Sequence, residues 1–136
     1  MSEGNVAVVR GLYEAFGRGD IPAVLGAMSP DIVWNEAENF LYADGNPYRG
    51  PEAILNGVFA RLGGEWDGFA AAPEEFLDAG DTVVMFGRYG GTYKATGRSL
   101  DAWVAHVWRI EDGKAVGFRQ LVDTLAAARA TGVPAA

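Results

Sequence analysis

Apolar residues at Val6, Val9, Leu12, Tyr13 and Phe16 recur at helical spacing, so the chain opens with an amphipathic helix. Gly17 and Gly19 stop it, and Asp20 before Ile21-Pro22 reads as an N-cap with proline in the first turn. A short second helix, Pro22 to Met28, ends at Ser29-Pro30-Asp31, and Ile32-Val33-Trp34 follows as a brief strand. Asn35 to Tyr48 is too acidic and turn-rich for regular structure. A third helix starts at Arg49-Gly50-Pro51-Glu52 and carries Ile54, Leu55, Val58, Phe59 and Leu62 on one stripe, with Gly63-Gly64 as its expected end. Beyond Trp66 the period changes to two. Strands are predicted over Phe69–Asp78, Thr82–Tyr93, Leu100–Ile110 and Ala115–Asp123, with turns at Ala79-Gly80-Asp81 and Glu111-Asp112-Gly113-Lys114. A last helix covers Leu125 to Ala130. Helices segregated from a run of strands predict an α+β domain.

Composition narrows the function classes. The 136 residues suit one domain, 1–136, with a single core, and no repeat or linker interrupts them. A formal net charge of -7 disfavours nucleic acid and anionic membrane as partners, since both attract a basic face. Zero cysteines exclude disulfides and thiolate zinc sites. With neither a basic-then-apolar leader nor an apolar run near roughly 20 residues, the expected location is the cytoplasm. Nineteen glycines and 12% aromatic residues suit bent sheets around a pocket.

Three segments carry a family resemblance: Val8-Val9-Arg10-Gly11-Leu12-Tyr13-Glu14-Ala15-Phe16 with Gly19-Asp20; Tyr48-Arg49-Gly50-Pro51-Glu52-Ala53-Ile54; and Gly113-Lys114 with Phe118-Arg119 and Asp123. In order and spacing the chain resembles the SnoaL-like and ketosteroid-isomerase-like proteins of the nuclear transport factor 2-like superfamily. The resemblance implies a cone: a curved antiparallel sheet wrapped around a long helix, open to an apolar cavity at one end. It also implies a homodimer, with outer sheet faces in contact. It does not fix an activity, because the fold hosts isomerases, cyclases, hydrolases, dehydratases and non-catalytic proteins.

Candidate chemistry gathers at the cavity such a fold would enclose. His106, the only histidine, shares a strand face with Val104 and Trp108. The resemblance puts it near the position where ketosteroid isomerases hold a protonated acid that donates to the substrate oxyanion, and an imidazole can donate or shuttle protons there. The alternative is a buried histidine satisfied by its neighbours. The resemblance sets the isomerase base at Asn35 or Glu36, and the general base is expected from this loop, as Glu36 or Glu38. A carboxyl at an apolar mouth has a raised pKa. Trp34, Tyr89, Trp108 and Phe118 are expected to line the pocket, with Asn35, Gln120 and Asp123 as polar contacts; Asp123 alternatively caps the final helix. Gly97-Arg98-Ser99, Gly113-Lys114 and Phe118-Arg119-Gln120 resemble a run in limonene-epoxide hydrolases, but Gln120 stands where that family's catalytic aspartate would be, and an amide is no base at neutral pH. Tyr13 resembles the isomerase phenol but is one residue out of register, about 100° around the helix, and is expected to pack with its hydroxyl outward. No metal or cofactor is expected. The sequence thus predicts a cofactor-free acid/base enzyme (isomerase, cyclase or dehydratase) acting on a small apolar or polyketide-like molecule. The alternative is a non-catalytic ligand-binding or assembly module.

Overall fold

The computed structural model describes residues 2–132, so Met1 and the last four residues of the predicted domain lie outside the described residues. Helix α1 (Ser2–Gly17) leads through Asp20, whose carboxylate accepts from the Ala23 N–H, into α2 (Ile21–Gly26). Strand β1 (Met28–Asn35) starts earlier than the sequence suggests, taking Met28 from the end of the predicted second helix. The predicted loop contains a 3-10 turn (Ala43–Gly45), and β2 (Tyr48–Arg49) pairs with β1.

Helix α3 (Pro51–Ile54), a π-helical turn (Leu55–Phe59) and α4 (Ala60–Glu65) then run as one rod. Gly63-Gly64 does not end it. Both glycines face open solvent, and the rod continues until Glu65, whose carbonyl accepts from the Lys94 N–H. The π turn coincides with a close approach. A Cβ on Gly57 would overlap the buried Tyr48 ring, which is pinned by a 2.7 Å hydroxyl bond to the Tyr42 carbonyl. Gly57→Ala is therefore expected to destabilise the protein by about 1–2 kcal/mol, the overpacking of a fixed ring outweighing the gain in helix propensity. A thermal melt with a raised midpoint would show that the ring gives way.

Strands β3 (Trp66–Ala79), β4 (Thr82–Tyr93), β5 (Arg98–Glu111) and β6 (Lys114–Val122) form a meander, closed by α5 (Thr124–Thr131). The six-stranded sheet has the order β2-β1-β6-β5-β4-β3. It is mixed, because β1 runs parallel to β6 while all other pairs are antiparallel. That exception was invisible in the pattern, since period-two alternation marks a strand but not its partner's direction. Bulges at Asp67/Ala70 and Pro73/Glu75 bend β3, and Gly91 (φ +143°) lets β4 pass the Phe69 backbone where a Cβ would sit 3.0 Å away.

The concave face holds the core. Along β5, Leu100, Ala102, Val104, His106, Trp108 and Ile110 are all buried, while Trp103 on the outer face is 73% exposed. Helix α1 lies across the inner side of β3 with Val9, Leu12 and Tyr13 buried, and the 51–65 rod closes the other side with Ile54, Val58 and Leu62. Hence the architecture is the α+β roll the sequence implied, an unclosed sheet curled over helices. No described helix is long and apolar enough to cross a membrane.

Candidate functional site

Between α1, the rod and the concave sheet lies a cavity of about 50 Å³ in space open to water centres, room for about four waters at roughly 10–15 Å³ each. Its wall is mostly apolar. Half-buried Phe16, Phe59 and Phe69 mark where it nears the surface, and the Phe16 and Phe59 rings meet at 5.8 Å. Deeper in, Trp34 stacks on Phe118 at 3.6 Å and meets Trp108 edge-on.

Five polar side chains interrupt this wall, each from a different element. Strand alternation on β4, β5 and β6 turns Tyr89, His106 and Gln120 inward, and His106 sits opposite Gln120 in the ladder. Tyr13 descends from α1, and Glu36 follows the end of β1. The Tyr13 hydroxyl lies 2.5 Å from His106 Nδ1, and the Tyr89 hydroxyl 2.5 Å from Nε2. Trp108 Nε1–H donates to the Tyr13 oxygen (2.8 Å), and Gln120 Nε2–H to the Tyr89 oxygen (2.8 Å). Gln120 Oε1 in turn accepts from the Ala37 N–H (2.9 Å) and so ties the segment carrying Glu36 to the chain of rings.

Glu36 is 4% exposed and holds one strong bond, from Trp34 Nε1–H to Oε2 at 2.8 Å. Its other oxygen, Oε1, has no hydrogen-bond partner among the described residues, and the side chain lines the cavity. The backbone on both sides is fixed by Asn46, whose Oδ1 accepts from the Glu36 N–H and whose Nδ2 donates to the Glu36 carbonyl, both at 2.8 Å. Burial pushes the Glu36 carboxyl up to about 7, against the smaller pull of the Trp34 N–H and the Arg61 charge. Burial pushes His106 the other way, down to about 3, so at neutral pH the imidazole is uncharged. Burial likewise raises both tyrosines above their ordinary value, so they stay protonated.

The expected site residues divide accordingly. Trp34, Glu36, Tyr89, His106, Trp108, Phe118 and Gln120 converge on the cavity. Glu38 does not, being exposed on the turn after β1. Asn35 does not either: alternation sets it opposite Trp34, paired with Arg119. Asp123 is also outside, because β6 ends at Val122 and the exposed Asp123 carboxylate caps α5 by accepting from the Ala126 N–H at 3.1 Å. Tyr13 corrects the expectation of an outward hydroxyl. The buried stripe of α1 is wide enough to take in both Leu12 and Tyr13, so a shift of one position leaves the phenol inside. His106 has both nitrogens occupied, so an incoming molecule meets tyrosine hydroxyls rather than the imidazole. Asn46 gave no signal beyond an Asn-Pro turn.

The comparisons agree with this architecture. A family model described as SnoaL-like domain matches residues 9–118. An NTF2-like protein from Burkholderia thailandensis is 44% identical over 91% of this chain and 94% of its own, with a TM-score of 0.87. One from Burkholderia pseudomallei is 33% identical over 93% and 96%, with a TM-score of 0.85. TerC, co-crystallised with polyporic acid, is 29% identical over 93% and 97%, with a TM-score of 0.83. No curated protein matches the sequence.

Proposed function

The chain belongs to the SnoaL-like domain family, and from that premise we propose that it is a cofactor-free acid/base enzyme, an isomerase, cyclase or dehydratase acting on a small apolar carbonyl compound. One observation carries this reading: the Glu36 carboxyl, with Oε1 unbonded, lines the same mostly apolar cavity as the Tyr13 and Tyr89 hydroxyls, and burial pushes its pKa up to about 7. A carboxylate with a pKa near the working pH is the efficient general base. It takes a proton from the carbon beside the carbonyl; the C–H electrons move into the C–C bond, and the carbonyl oxygen gains the charge. A tyrosine O–H donates to that oxygen, worth more here than in water because the surroundings are apolar. Glu36 then returns its proton to another carbon, or the enolate attacks an internal carbonyl to close a ring.

The direct test needs no known substrate. Small ketones are incubated with the protein in D₂O, and NMR follows loss of the signal from hydrogens beside the carbonyl. Accelerated exchange supports the reading; a protein no faster than buffer across the panel removes it. The small cavity favours a second reading, a ligand-binding module without turnover, in which ketones bind yet exchange no hydrogen. A polyketide-like ring would need the Phe16–Phe59 contact to part. TerC, seen with polyporic acid, is a precedent for a relative of this fold holding a small molecule.

The homodimer belongs to the same proposal. Phe86, Ala105 and Leu121 are aligned across β4, β5 and β6, with exposed Trp103 beside them on the outer face. Such a contiguous apolar patch on a sheet surface marks an association site. Trp103→Glu, at a side chain outside the core, is expected to convert the dimer to monomer in light scattering. A wild type already monomeric at micromolar concentration would contradict this. Zero cysteines suit a reducing compartment, and the cytoplasm is proposed on that ground.

A further inference from the structure

The hydrogens on the Tyr13–His106–Tyr89 chain can be counted. Each tyrosine oxygen already accepts one N–H, from Trp108 or Gln120. A neutral imidazole offers one N–H and one lone pair. One tyrosine therefore donates to the ring, while the other accepts from it and keeps a hydroxyl hydrogen with no acceptor in the chain. The spare hydrogen is on Tyr89 when the ring is protonated at Nε2, and on Tyr13 when it is protonated at Nδ1. The two arrangements hold the same number of protons.

Geometry makes the two ends unequal. The Gln120 side chain spans from the Tyr89 oxygen to the Ala37 N–H, so Tyr89 lies on the Glu36 side of the cavity. Tyr13 is anchored instead by Trp108. The Glu36 charge acts on the Tyr89 hydroxyl. A carboxylate draws the Tyr89 hydrogen towards itself and away from Nε2.

We infer that His106 is a positioning residue whose tautomer follows the charge on Glu36 and thereby selects which tyrosine hydroxyl is offered to a ligand. With Glu36 ionised, the ring is protonated at Nε2, Tyr13 donates to Nδ1, and the spare hydrogen is on Tyr89. When Glu36 takes a proton, the population moves towards Nδ1–H, Tyr89 donates to Nε2, and Tyr13 is released to an acceptor oxygen. In turnover, which rests on the reading of Glu36 as base, proton abstraction would thus move the offered hydroxyl from Tyr89 to Tyr13 as charge develops on the substrate oxygen. The titratable groups facing His106 are Tyr13 from α1, Tyr89 from β4 and Glu36 after β1. From β3, β6 and the 51–65 rod the shared cavity is lined by uncharged side chains such as Phe69, Gln120 and Phe59, while Arg61 acts on Glu36 from α4.

The test is ¹⁵N NMR of the histidine ring in the ligand-free protein, from pH 5 to 9, on wild type, Glu36→Gln and Tyr89→Phe. The expected result is a neutral ring throughout, moving from Nε2–H to Nδ1–H as pH falls through the Glu36 midpoint, with no such movement in either variant. An unchanged tautomer ratio in the wild type, a doubly protonated ring in this range, or the same shift in both variants overturns the inference. Either variant serves alone as the control should the other not fold. Ketone exchange without a tautomer shift would sink this inference and leave Glu36 as the base; a shift without exchange would do the reverse.

Discussion

Glu36→Gln is expected to lower the rate of hydrogen exchange into a turned-over ketone by about 10²–10⁴-fold while the fold persists. The amide keeps the volume and can still accept from Trp34 Nε1–H, so the cavity wall is preserved. What it cannot do is take a proton, and no other side chain is placed to substitute: His106 has both nitrogens occupied and is held neutral, and Gln120 is itself an amide. Circular dichroism and a melting curve establish that the variant is folded, and initial rates with one ketone measure the effect. A rate within a few-fold of wild type would assign the chemistry to another group. Glu38→Gln, on the exposed turn, is the companion control and should change little.

The second large effect is on stability against pH, where the two buried ionisable groups act in opposite directions. Glu36 has a folded pKa raised from 4.5 to about 7, so the folded state holds its proton more tightly. Its contribution is complete below 4.5 and is lost as pH rises through 7, about 3 kcal/mol in all. His106 has a folded pKa lowered from 6.5 to about 3, so its contribution is complete above 6.5 and is lost as pH falls towards 3, about 5 kcal/mol in all. Between 4.5 and 6.5 the two largely offset each other. Urea unfolding should show a plateau there, a short decline from 6.5 to about 7 and a longer one of equal slope from 4.5 down to about 3. Glu36→Gln should abolish the alkaline limb and let the acid decline begin at 6.5, and His106→Gln should abolish the acid limb and let the alkaline decline begin at 4.5. An alkaline limb unchanged in Glu36→Gln would mean that Glu36 titrates as an ordinary surface carboxyl.

Much of this arrangement was legible because alternation is a strict rule. Leu100 to Ile110 puts His106 and Trp108 on one face whatever their partners, and the observed limits of β4 are the predicted Thr82 and Tyr93. Legibility ended where a side chain's fate depends on something distant. Glu36 and Glu38 are both acidic residues just after a strand; only the reciprocal bonds of Asn46 and the Trp34 indole fix one of them inward, and those partners are set by folding. Tyr13 departs from expectation because spacing fixes a residue's angle on a helix but not how much of the circumference the sheet will cover. Gly63-Gly64 looked like a stop because glycine weakens helices, yet the contacts of Leu62 and the cap on Glu65 override that preference. The parallel pairing of β1 with β6 joins residues far apart in the chain, Trp34 with Phe118 for example, and no local pattern reports on it.

The central claim is that a single carboxyl in this cavity is poised to exchange a proton near neutral pH. A ¹³C NMR titration of the glutamate side-chain carboxyls, with Glu36 assigned by its loss in Glu36→Gln, tests it most directly. The account predicts one glutamate titrating near pH 7 and well separated from the others. A Glu36 midpoint near 4.5 would contradict it, because a carboxyl that ionises as it does in water is neither desolvated nor tuned as a base for this chemistry.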